Sequence, residues 1–172
     1  RLSYSVDGFI SPDGPLPVDP AMFNIADGVS PVSPLFVNLG RDVDPDQLWG
    51  PSQTQASLDE DGPIVLVNME TGARVPLLTE MDMNQRDKGY DGRHALIIRP
   101  MAPLAYDTRY AVGISAALRD TEGGSFTVSD GFTALRDNIV TTDARIEGSR
   151  ERFEDVFAAV EAGGIAREEL LV

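Results

Sequence analysis

The chain reads as short apolar runs separated by turn residues. Leu2, Tyr4 and Val6 alternate with Ser3 and Ser5, the period of two expected of a strand with one buried face. Residues 35–39, 64–68, 75–78, 95–98 and 110–114 are further short runs, rich in β-branched and aromatic residues, and predict strands. Glu70-Thr71-Gly72-Ala73 lies between two such runs and predicts a hairpin turn. Six Asp-Gly pairs begin at Asp7, Asp13, Asp27, Asp61, Asp91 and Asp130. Glycine takes a positive φ without a Cβ clash and aspartate bonds its own turn backbone, so each pair predicts a tight turn. Pro12, Pro15, Pro17, Pro20, Pro31 and Pro34 crowd the first 34 residues. Proline donates nothing to a ladder, which predicts an extended edge segment there, with one or two strands at most.

The last 35 residues change period. Phe153, Val156, Phe157 and Val160 stand at i, i+3, i+4 and i+7 and form one apolar helical stripe. Ser149 is placed to cap this helix, Glu151 suits the positive end of its dipole, and Gly163-Gly164 supplies the stop. The stripe needs a surface to lie on, either the chain's own sheet or a neighbouring domain. Many short strands with Gly/Pro turns and one helix predict an all-β sandwich or barrel with an extended N-terminal segment and a C-terminal helix.

Composition narrows the function classes. The 172 residues are 42% apolar, enough for a true core rather than a disordered tail. A formal charge of -14 repels phosphate backbones and anionic lipid, so neither nucleic acid nor membrane insertion is expected. The apolar runs at 64–67 and 95–98 are far too short to span a bilayer, and no signal-like stretch is present. The absence of cysteine removes disulfides, thiolate metal sites and cysteine nucleophiles together. The chain opens on Arg1 and closes on Leu170-Leu171-Val172, which suggests a fragment of something longer.

Candidate chemistry is sparse. His94 is the only histidine, and Gly113-Ile114-Ser115-Ala116-Ala117 is the nearest approach to a nucleophile elbow. Ala117 stands where the elbow needs its second glycine, and Asp120 and Gly123-Gly124 leave room for one helical turn at most. No catalytic residue is therefore assigned, although a small serine hydrolase using Ser115 and His94 stays open as an alternative. Asp42, Asp44 and Asp46 alternate in a loop and are the best candidates for a calcium site, because hard cations take several loop oxygens. Asp82-Met83-Asn84 begins like a calcium loop, but Arg86 and Arg93 fall where oxygen ligands are needed. No other cofactor is implied. Trp49, Tyr90, Tyr106 and Tyr110 offer material for a sugar-stacking platform, so a carbohydrate-, surface- or calcium-binding module is a further alternative.

One resemblance adds to this. Asp27-Gly28-Val29-Ser30-Pro31, Val43-Asp44-Pro45-Asp46-Gln47-Leu48, Ile64-Val65-Leu66-Val67 and Arg99-Pro100-Met101-Ala102-Pro103-Leu104 occur in an order that resembles bacterial immunoglobulin-like modules of the SbsA type. Thr108-Arg109-Tyr110-Ala111-Val112 and Leu118-Arg119-Asp120-Thr121-Glu122-Gly123 continue the match, most closely to the version preceding α/β-hydrolase or lipase-type domains of exported proteins. The resemblance implies an extended segment over 1–29, an immunoglobulin-like β-sandwich over 30–137, and a linker and helix over 138–172 leading to a downstream domain. It implies an exported, non-catalytic accessory module whose partner is a neighbouring domain of the same polypeptide. Oligomeric state stays open. In this pattern Tyr110 buries its ring while its hydroxyl bonds loop backbone.

Overall fold

A computed structural model describes residues 29–83 and 94–172. The strand predicted over 2–6, and Asn84, Arg86, Tyr90 and Arg93, lie outside the described residues. Among the described residues, five strands form two antiparallel sheets. β1 (Leu35–Val37), β4 (Leu96–Pro100) and β3 (Leu77–Met81) make one, in that order, and β2 (Ile64–Asn68) and β5 (Tyr110–Ile114) make the other. Three helices follow: α1 (Asp130–Arg136), α2 (Ala144–Glu147) and α3 (Arg150–Ala162).

The strands of β2 and β5 coincide with their predicted bounds. The hairpin turn after β2 forms: Asn68 N–H donates to Ala73 O at 2.9 Å, Val67 bridges Arg74, and Gly72 takes φ 70°. The next strand does not stay with it. Val75 still donates to Leu66 O, but Pro76 has no N–H to continue that ladder. The chain crosses to the other sheet, where β3 begins at Leu77 and pairs with β4.

Ile64, Val65, Leu66 and Val67 are all buried, so β2 is covered on both faces. Ile64 and Leu66 join Ile114 from β5 with Leu77, Leu96 and Ile98 from the first sheet in one cluster. Val65, Val67 and Ala111 point the other way and pack with Phe157, Ala159 and Val160 of α3. The apolar stripe of the helix therefore lies on the chain's own sheet. Burial of each large side chain in these clusters contributes roughly 1.5–3 kcal/mol.

The two antiparallel sheets agree with the β part of the expectation, while α1 and α2 join the expected C-terminal helix α3 and bring helix and strand content to about equal. Ser129 caps α1 by accepting from Phe132 N–H, and Asp143 caps α2 by accepting from Arg145 N–H at 2.8 Å. Ser149 precedes α3, yet its hydroxyl donates to Arg145 O at 2.7 Å instead of capping. The reason is α2, which ends at Glu147 two residues earlier and leaves that carbonyl in reach.

Arginines join the helices. Arg150 donates to Ala134 O and Ile139 O, and pairs with both carboxylate oxygens of Glu147 at 2.8 Å. That guanidinium, helped by the Thr141 amide, lowers the Glu147 carboxyl to about 2. Arg167 donates to Leu135 O and Arg136 O, forks onto Glu154, and lies 4.3 Å over the Phe157 ring.

The approach of α3 to the sheet depends on two missing side chains. A Cβ on Gly113 would overlap Val160 Cγ1, and one on Gly163 would overlap Val67 Cγ1. Gly113→Ala is expected to destabilise the fold by about 1–3 kcal/mol in urea unfolding, because an overpacked core must shift. Gly131→Ala, whose new methyl would meet only Ile146 Cδ1 at 3.5 Å, is expected to be neutral or to stabilise by up to about 1 kcal/mol. Equal effects of the two substitutions would contradict this packing.

Candidate functional site

His94 stands two residues before β4 and is 5% exposed. Its Nδ1 lies 2.9 and 2.8 Å from the two carboxylate oxygens of Asp42. A carboxylate only accepts, so Nδ1 carries the proton. The other ring nitrogen, Nε2, is buried and has no hydrogen-bond partner among the described residues. This pair has the base and the orienting acid of a triad, and among the described residues no nucleophile is bonded to it. Ser115 follows β5 in the other sheet, and its Oγ accepts from Ala117 N–H at 3.1 Å. No hydrogen bond links Ser115 to either ring nitrogen.

The three candidate calcium ligands point to different tasks. Asp42 holds His94. Asp44 accepts from Asp46 N–H at 3.1 Å and so caps the short 3-10 turn Pro45–Gln47. Asp46 lines a shallow hollow of about 430 Å³ beside Trp49, Asp59 and Asp61. Among the described residues, no group of three His, Asp or Glu side chains is gathered so that it could hold a metal ion.

The aromatic candidates are also separated. Trp49 is an anchor: its N–H donates to Thr79 Oγ1 at 2.8 Å, its C=O accepts from Thr79 N–H, and its ring is largely buried against Gly62. Tyr110 accepts from Ala105 N–H at 3.0 Å through its hydroxyl, as expected. It shares a groove of about 770 Å³ with Tyr106, which is 86% exposed.

One more polar cluster was visible in the sequence only as a turn. Asp120 is buried and ion-paired to Arg41, and accepts from Gly124 N–H and Glu122 N–H. The Gly124 amide, together with the Glu122 amide and Arg41, holds the Asp120 carboxyl below the usual carboxylate range. A Cβ on Gly124 would meet that carboxylate, so the turn closes tightly around it. Arg41 also donates to Ser125 O and stacks on Phe126.

Among the described residues no helix is long and apolar enough to cross a membrane. The chain matches no protein-family model, no curated protein and no solved structure.

The pairing of Asp42 with His94 has a direct consequence. Asp42→Ala leaves a buried imidazole with neither nitrogen bonded and is expected to cost about 1–3 kcal/mol in denaturant unfolding. Asp44→Ala, which removes only a local turn cap, is expected to cost about 1 kcal/mol or less. The reverse order would contradict the assignment.

Proposed function

We propose that this chain is a non-catalytic accessory module: an immunoglobulin-like β-sandwich of a larger exported bacterial protein, standing before an α/β-hydrolase domain of lipase type. One observation carries the reading. The side chains that chemistry would need are engaged in holding backbone or one another: Ser115 holds Ala117, Asp42 holds His94, Asp44 holds Asp46, and Asp120 holds its own turn.

The sandwich part of the reading is supported by two antiparallel sheets that share one core cluster. It is also supported by the Tyr110 hydroxyl, which reaches back to Ala105 from the start of a strand as the tyrosine corner of such folds does. Fold alone gives no activity, so the role of spacing or orienting a neighbour comes from the resemblance over residues 30–137.

The test compares this chain with its full-length parent on short- and long-chain nitrophenyl esters. Hydrolysis is expected from the parent and none above buffer from the chain alone. Turnover by the chain that disappears in a folded Ser115→Ala variant would overturn the non-catalytic reading. A parent without ester hydrolysis would overturn the lipase-type assignment.

A further inference from the structure

We propose that the hollow beside Trp49 binds an amino sugar, a ligand that offers an ammonium group and several hydroxyls at once. The site goes beyond the accessory-module reading and does not depend on which domain the module serves.

Two neighbouring turns build the hollow. Asp46 comes from the 3-10 turn Pro45–Gln47, and Asp59 and Asp61 come from the turn that leads into β2. Gly62 N–H donates to Asp59 O at 3.0 Å and closes that second turn. The three aspartates border a space of about 430 Å³. Among the described residues, none of their carboxylates forms an ion pair. Arg74, the guanidinium bonded to this turn, directs its N–H groups to the carbonyls of Asp59, Glu60 and Gly163 instead. Segment 169–172 runs along β5 from Ala116 toward Ile114, with Ala116 N–H donating to Glu169 O and Ile114 O accepting from Leu171 N–H. That direction leads away from Ala117, the β5-side residue of the hollow.

Acidic turns are ordinarily only solvated, and Trp49 sets this one apart. The residue is 9% exposed and fixed through its backbone to Thr79. A Cβ on Gly62 would meet its Cζ2 at 3.1 Å and Cη2 at 3.3 Å. Cζ2 lies on the same edge of the indole as Nε1, so that edge is turned to Gly62 and the hollow both residues line. The indole N–H has no acceptor among the described residues and is not sealed from solvent. A tryptophan this deeply buried ordinarily gives its N–H a partner. An oxygen of a ligand in the hollow would supply it.

The lining selects the ligand by its chemistry. Among the described residues, no three acidic groups are gathered closely enough to hold a metal ion. A lone alkylammonium is likewise a compact point charge, and it satisfies one carboxylate while leaving the others. Carboxylates only accept and the indole only donates, so the ligand needs several spread donors and at least one acceptor oxygen. A neutral sugar has both but gains nothing from the three carboxylates or from the chain's charge of -14. An amino sugar has the donors, the acceptor and the positive charge. Because the indole is buried, recognition runs through its N–H edge rather than by stacking on its face.

The chain has one tryptophan, so its indole N–H resonance reports on this site alone. In low-salt buffer just below neutral pH, D-glucosamine is expected to move that resonance saturably, with a Kd of about 10 mM or less. Glucose, n-butylamine and calcium chloride are each expected to bind at least about tenfold more weakly. Asp59→Asn combined with Asp61→Asn is expected to weaken glucosamine about tenfold, while Asp155→Asn on α3 changes it by less than about twofold. Absence of saturation by glucosamine would overturn the site. So would glucose, butylamine or calcium binding as tightly as glucosamine, or Asp155→Asn weakening it as much as the double change. The ligand series on the unaltered protein decides the matter even if the double variant does not fold.

Discussion

The structure depends on one strand pair that is covered on both faces. β2 and β5 present Ile64, Leu66 and Ile114 to the first sheet, and Val65, Val67 and Ala111 to α3. A two-stranded ribbon alone is marginal in water, and it becomes the centre of a fold only when something packs on each side. Here a three-stranded sheet does so on one side and a helix on the other. Close approach of the helix is a steric matter, settled by Gly113 and Gly163, which leave space for Val160 and Val67. Arg74 reinforces the join by donating to Gly163 O at the negative end of α3, and to Asp59 O and Glu60 O beside β2.

The same economy extends to the polar side chains. Arg150 and Arg167 satisfy carbonyls at the end of α1, where helical partners run out, and each is neutralised by a glutamate on or next to the helices it joins. Asp120 and Asp42 serve loops in the same way. Asp120 is a buried carboxylate that accepts two backbone N–H groups, and the half-buried Asp42 accepts from the His94 imidazole, so either is costly to remove. That distribution supports the proposed accessory role.

Much of the fold was legible in the sequence. The run Ile64-Val65-Leu66-Val67 reads as a strand and the i, i+3, i+4, i+7 stripe as α3, while the cover on both faces of that strand comes from the packing. β3 is displaced from its predicted start because Pro76 ends one ladder just before another begins. α1 and α2 are seven and four residues long, too short for periodicity to show, and only their caps, Ser129 and Asp143, mark them. The candidate sites were less legible. Asp42, Asp44 and Asp46 share a spacing, but spacing does not reveal that one bonds a histidine 52 positions away while another bonds its own turn.

The central claim is that α3 is an integral layer on β2 and β5 rather than an appendage. Native-state hydrogen exchange tests it most directly. Amides of β2, β5 and α3 are expected to share one opening free energy and to form the slowest-exchanging class. Exchange of α3 through a separate, lower-energy opening while β2 and β5 stay protected would contradict it.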